Sequence, residues 1–192
     1  MARSKEFDDQ VVLDRAMKLF WQQGYEKTSM NDLTEHMGIH RRSLYDTFTD
    51  KHTLFLLALE KFGVQNGNRG QAAIAQAKTA REALEMIFGY VIEGIEDLPA
   101  GCLLVNSAVE LAARDQKVDH MAVAAFEKTE EMIAGIIRHG QQTGEYSSTL
   151  DAEQMAAYLH NALIGLRVLV RTSTDTSKLR EIMEMNLRLL EG

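Results

Sequence analysis

The sequence predicts an all-α protein of about nine helices, with three short helices at the N-terminus and a larger helical body behind them. Three observations carry that expectation. The 192 residues include a single proline, Pro99, and 13 glycines, too few turn-forming residues for a many-stranded sandwich. Apolar residues recur at three-to-four spacing along most of the chain. Hydroxyl and carboxylate residues stand ahead of these runs and glycines often follow them, as helix caps require.

Taken in order, Val12, Leu13, Ala16, Met17, Leu19 and Phe20 make one broad stripe on a helix from Asp8 to Gln23, with Gly24 placed to end it. Thr28 and Ser29 supply hydroxyl caps, Asp32 follows Ser29 by three as a short capping-box variant, and Met30, Leu33 and Met37 keep helical period up to Gly38. A third short helix carries Leu44 and Phe48, and Asp50 caps a new start at Lys51. From Lys51 to about Ala77 one helix is predicted, with a kink or a break at Gly63, Gly67 and Gly70. Thr79 and Glu82 read as a capping box before Ala83 to Ile95, and the Leu98-Pro99-Ala100-Gly101 stretch separates that helix from one starting at Cys102. Further helices are expected from Gln116 to Arg138, through the apolar run from Asp151 to Val170, and from Asp175 or Ser177 to near Leu190.

Composition narrows the function classes. With 45% hydrophobic and 26% charged residues the chain is neither disordered nor collagenous. Cys102 is the single cysteine and has no intramolecular partner. The sequence shows no apolar run of about eighteen residues and no basic-then-apolar leader, so it reads as soluble and cytoplasmic, without a membrane partner. A net charge of −7 argues against a general polyanion binder. Residues 1–50 hold seven Lys and Arg against nine Asp and Glu, and residues 51–192 hold 14 against 19. Any nucleic-acid surface must therefore be a local patch. No His, Cys and carboxylate cluster has metal-ligand spacing, and no phosphate-binding glycine loop or nucleophile elbow is present, so neither an enzyme nor a cofactor-dependent protein is expected.

Such a patch is visible. Two short helices joined through Met37-Gly38-Ile39, with Arg41, Arg42 and Ser43 opening the second, form a helix-turn-helix in outline. A lone helix fits the major groove, and its first turn can reach base edges while its N-terminus favours phosphate. Arginine bridges guanine O6 and N7, which makes Arg41 and Arg42 the candidate base readers. Adjacent helical residues point about 100° apart, so one of the pair reads a base and the other holds a phosphate. An arginine pair on an isolated helix is otherwise a solvated face, and Tyr45 and Lys51 have ordinary surface readings as well.

The stretch GYEKTSMNDLTEHMGIHRRSLYDTFTDKHTLF, within Phe20 to Leu57, resembles the DNA-binding domain of the TetR family of bacterial transcriptional regulators. It carries the family's G-[YF]-x-x-[TS]-[ST] opening, the glycine of the turn, the S-L-Y-x-x-F segment and the following lysine. The resemblance implies that Thr28, Tyr45 and Lys51 contact phosphates and that Ser43 lets the helix approach DNA closely. With Ser29, His40, Arg41 and Arg42 these residues define the candidate DNA surface. The resemblance also divides the chain into a DNA-binding domain, residues 1–50, and an effector-binding and dimerisation domain, residues 51–192. It implies a ligand-responsive regulator, most simply a repressor that binds a palindromic operator as a homodimer and is released by a small-molecule inducer.

The body carries the remaining expectations. Met86, Tyr90, Cys102, Asn106, Phe126 and His160 are the candidate ligand contacts, a Met- and aromatic-containing set suited to an apolar or aromatic effector. His160 is equally a core or interface histidine. Cys102 opens a helix, where the dipole can lower a thiol's pKa, so a redox or electrophile sensor of the same fold is an alternative; flanked by Leu103, Leu104 and Val105 it is also an ordinary buried hydrophobe. The segment GCLLVNSAVELA resembles one branch of the family. Leu159, Leu163 and Leu166 with Ile182 and Leu187 form an apolar stripe that either completes the core or makes a four-helix dimer interface, and the family layout favours the interface. A helical dimer that binds a small molecule or partner without DNA is the remaining alternative.

Overall fold

In the computed structural model, which describes residues 7–172 and 175–191, nine helices and no strand are present among the described residues. Every start except those of α3 and α6 carries a side-chain cap. Asp8 accepts the amide of Gln10 and opens α1 (Asp9–Gln23), and Gly24 ends it at φ +83°. Ser29 and Asp32 form a complete capping box on α2 (Met30–Met37). After the turn, α3 (Arg41–Phe48) leads to Asp50, whose carboxylate caps α4 (Lys51–Gln76) through the amide of Thr53. Those hydrogen bonds hold the Asp32 and Asp50 carboxyls below the usual carboxylate range.

The long α4 is continuous through its three glycines. At Gly70 the reason for a glycine is packing, since a Cβ there would lie 2.5 Å from the Met132 sulfur. In α5 (Ala80–Ile92) the cap is Thr79, but the box is open: Glu82 takes the amide of Lys78 instead of that of Thr79. The helix starts three residues before Ala83 and stops three before Ile95. Cys102 is the N-cap of α6 (Leu103–Leu111), and Asp115 caps α7 (Gln116–Thr143). This last helix runs past Arg138 and ends on Gly144 at φ +80°. The C-terminal helices are α8 (Ala152–Leu169) and α9 (Thr176–Arg188). No described helix is long and apolar enough to cross a membrane.

Two apolar clusters organise these elements. The first joins α1 to α4 with Leu103, Leu104 and Leu111 of α6 and Val118 of α7, so the N-terminal helices share a core with the body. The second is built from α5, α7, α8 and α9. Leu159, Leu163, Leu166 and Leu187 are all buried inside it, and Ile182 packs partly buried at its edge. The expected interface stripe is therefore the protomer's own core, because four of its five residues have no surface left to give a partner. Arg81, paired with Glu85, Glu184 and Glu191, ties α5 to the C-terminal helix.

Gly140 shows how tightly α7 is packed. A Cβ there would meet the Tyr146 ring at 2.4 Å and the Ala80 methyl at 2.9 Å. Gly140→Ala is expected to cost about 1–3 kcal/mol, overpacking outweighing the better helix propensity of alanine. A urea midpoint equal to or above that of wild type would contradict this.

His160 provides a pH-dependent measurement. Burial pushes its pKa down, Arg167 adds to the depression, and the Nδ1 contact with Glu130 at 2.9 Å opposes it without prevailing. A histidine whose folded pKa lies below its unfolded value favours the fold while neutral. Its contribution is present above about pH 6.5 and lost as the pH falls through that value toward the folded pKa. Wild type is expected to lose more stability than His160→Gln between about pH 7.5 and 5.5, and parallel denaturation curves for the two proteins would contradict this.

Candidate nucleic-acid interface

Helices of eight residues do not persist alone in water, so α2 and α3 owe their geometry to packing. Leu33, Met37, Leu44 and Phe48 are buried and face α1 and α4. Between them Gly38 adopts φ +70°, and its amide reaches back to the carbonyls of Thr34 and Glu35. The Arg15 guanidinium fixes the turn from outside by donating to the Met37 carbonyl at 2.8 Å. A Cβ on residue 38 would lie 3.1 Å from that guanidinium in a backbone region L-residues avoid, so glycine is required twice over.

Burying one face of α3 exposes the other. His40, Arg41, Arg42 and Tyr45 are exposed and Ser43 is half-buried. Arg41 donates to the Asn31 side chain at 3.3 Å and lies 5.8 Å from the Tyr45 ring centre, which links α2 to α3 across the outer surface. Arg42 is freer: its side chain is 93% exposed and makes only a loose ion pair with Asp46 at 3.7 Å. The His40 side chain makes no cap hydrogen bond with the first turn of α3. Ser29 is exposed, though its hydroxyl accepts the amide of Asp32, and the Lys51 ammonium lies 4.2 Å from the Tyr25 ring centre. Thr28 departs from the expectation. It is fully buried and its hydroxyl donates to the Gly24 carbonyl at 2.6 Å, so it closes the turn before α2 instead of facing outward. Asn31 joins the surface unannounced by the sequence, since a lone polar residue on an exposed helix face carries no local signal.

The body grips this unit by its main chain. The carboxylate of Glu110, on α6, accepts the amides of Tyr25 at 3.0 Å and Glu26 at 2.8 Å. It approaches so closely that a Cβ on Gly24 would sit 2.9 Å from it. His52 in the first turn of α4 meets Asp115, the cap of α7, at 2.6 Å. Burial opposes ionisation of Asp115, yet its bonds to His52 and to the amides of Val118 and Lys117 keep its pKa low.

Behind the grip lies a partly open chamber of about 60 Å³ walled by residues of α1, α4, α5, α7 and α8 and the loop before α6. It abuts a cleft of about 480 Å³ between α4 and α7, and Asn66, Thr129, Met132 and Arg167 line both. Tyr90 and Cys102 are on the chamber wall and Phe126 is on the cleft. Three expected ligand contacts are elsewhere. Met86 faces a separate surface groove beside α5, Asn106 lines neither space, and His160 is packed behind Phe126 at 5.4 Å between ring centres. Periodicity placed them on inward-facing turns without showing which of those turns border empty volume.

An exposed arginine-bearing helix held at the end of a helix-turn-helix defines a DNA-binding protein. Comparison with known proteins then gives the family. Residues 12–58 match the description "Bacterial regulatory proteins, tetR family", and residues 80–185 match "Tetracyclin repressor-like, C-terminal domain". The chain belongs to the TetR family and is a transcriptional regulator, not an enzyme. It is 30% identical to the HTH-type transcriptional repressor ComR of Escherichia coli (strain K12), over 97% of this chain and 90% of that protein. It is 29% identical, over the full length of both, to the HTH-type transcriptional regulator YezE of Bacillus subtilis (strain 168). Among solved structures it resembles a cysteine mutant of the TetR family regulator CifR complexed with 26-bp double-strand operator DNA. That match has a TM-score of 0.88 and 28% identity, covering 98% of this chain and 100% of the other.

Proposed function

We propose that this protein represses transcription as a homodimer on a palindromic operator and releases the DNA when a small molecule occupies the body. Residues 1–50 would read the DNA and residues 51–192 would pair the subunits and hold the effector. The observation that carries this reading is the outward presentation of Arg41, Arg42 and Tyr45 on a helix whose opposite face is buried. The similar protein named ComR is a repressor, and CifR is seen on operator DNA.

The outer face of α8 and α9 supports pairing. Tyr158, Val168, Met185 and Leu189 are exposed apolar side chains there, 47–69% accessible. The exposed small residues Ala157 and Gly165 share the α8 face and allow close helix approach. A two-fold pair built on this face would set two α3 helices about 34 Å apart, which selects an inverted repeat with half-sites one helical turn between centres. Cys102 is buried in the chamber wall, where it serves as a small apolar surface.

Footprinting of the purified protein on DNA flanking its own gene tests the reading. Protection of one inverted repeat, with affinity falling linearly in log salt, is the expected result. Equal binding to every fragment, or none, would overturn it.

A further inference from the structure

We infer that the effector is an anion, an organic carboxylate whose charged end is held in the chamber by Arg167 and Arg69 and whose apolar body occupies the adjoining cleft. The inference rests on the inducer reading above and names the chemistry of that site. Arg167 is only 6% exposed, yet it makes no hydrogen bond or ion pair with any described residue. It stands on the inward face of α8 and lines both the chamber and the cleft. Arg69 lines the same chamber from α4, half-buried and equally without a partner, and burial alone lowers its pKa, with no neighbouring carboxylate to offset it. Trp21 also lines the chamber, and its indole Nε1 is buried and unpartnered.

The wall contains no Asp or Glu among the described residues, in a chain of net charge −7. Glu60 on the cleft makes no ion pair with Arg167, and Glu130 is engaged by His160. The unneutralised Arg167 guanidinium and the idle indole donor are costly to bury unless something completes them, and the half-buried Arg69 adds a second positive charge beside them. A carboxylate accepts bidentately from a guanidinium fork, which makes it the fitting complement. The chamber, at about 60 Å³, suits the carboxylate end, and the adjoining cleft of about 480 Å³, with Leu59, Leu104, Phe126 and Met132 on its wall, suits an apolar or aromatic body.

Thermal shift and calorimetric titration with benzoate and hexanoate, each against its neutral amide, test the assignment on the full-length protein. The acids are expected to raise Tm and bind at least about tenfold more tightly than the amides. Arg167→Gln and Arg69→Gln should each weaken benzoate by about tenfold or more, the half-exposed Arg69 position leaving the fold untouched. Without ligand, Arg167→Met should raise Tm by about 2–4 °C, because an uncompensated charge is removed while the stem is kept. The proposal is overturned by amides that match the acids, by acids that shift nothing at millimolar concentration, by sulfate that reproduces the effect, or by both glutamine variants keeping wild-type benzoate affinity. A fall in the ligand-free Tm of Arg167→Met would likewise assign the guanidinium to the fold and overturn it. Operator affinity is read in the same samples. Benzoate bound at Arg167 with DNA still held leaves the anion site standing and removes the inducer reading, whereas release by the amides alone does the reverse.

Discussion

Replacing Arg41 and Arg42 together by alanine is expected to abolish specific operator binding while leaving the fold intact. Both side chains are exposed, and their loss removes only the Asn31 contact, the stacking beside Tyr45 and the loose Asp46 pair. A bidentate arginine–guanine contact is worth about 1–3 kcal/mol, and a symmetric dimer makes each contact twice. One base-reading arginine thus accounts for about 2–6 kcal/mol, a loss from about thirtyfold to more than about ten-thousandfold in affinity. The single variants separate the roles. Arg41, already steadied by Asn31 and Tyr45, is expected to read the base, so Arg41→Ala should flatten discrimination between operator and scrambled DNA. Arg42, unrestrained, is expected to hold a phosphate, so its loss should weaken all DNA and lower the salt dependence. Fluorescence anisotropy at several salt concentrations measures both quantities. Operator binding unchanged in the double variant would remove the α3 surface from recognition.

A charge placed on the outer face of α8 should have an effect of similar size by a different route. Ala157→Glu with Gly165→Glu puts two carboxylates on the face carrying Tyr158 and Val168, all exposed in the protomer. The fold should survive, as circular dichroism would show, while light scattering reports a monomer. Operator affinity is then expected to fall by about a hundredfold to ten-thousandfold, because the second half-site loses the millimolar effective concentration that pairing provides. A variant that remains dimeric and still binds would place the subunit interface elsewhere.

Which features the sequence disclosed follows from the range of the physics that creates them. The caps at Ser29, Asp50 and Thr79 act over two or three residues and were legible as local patterns, while Asp8, Asp151 and Asp175 marked only where a helix begins. Glycines misled where their purpose was tertiary. Gly70 reads as part of a weak stretch, but it accommodates the Met132 side chain, and Gly140, past the expected end of its helix at Arg138, accommodates the Tyr146 ring inside α7. An apolar stripe states that a face is covered, not by what, which is why the Leu159–Leu163–Leu166 row served equally well as core or interface. Glu110 is 84 residues from Glu26, one of the two amides it holds, and no periodicity records such a pairing. Arg167 did leave a mark that periodicity overlooks. It is a permanent charge seven residues after His160, on the buried side of an otherwise apolar helix.

The two ends of α6 do different work. Cys102, its cap, forms part of the chamber wall, while Glu110, about 12 Å further along the same rigid rod, holds the turn ahead of α2 through two directional bonds. An occupant that pushed the near end by a fraction of an ångström would loosen those bonds at the far end with no relay through other segments. Under the inducer reading proposed above, such a circuit would close within a single polypeptide, and a mixed pair carrying one deaf subunit would still answer through the other.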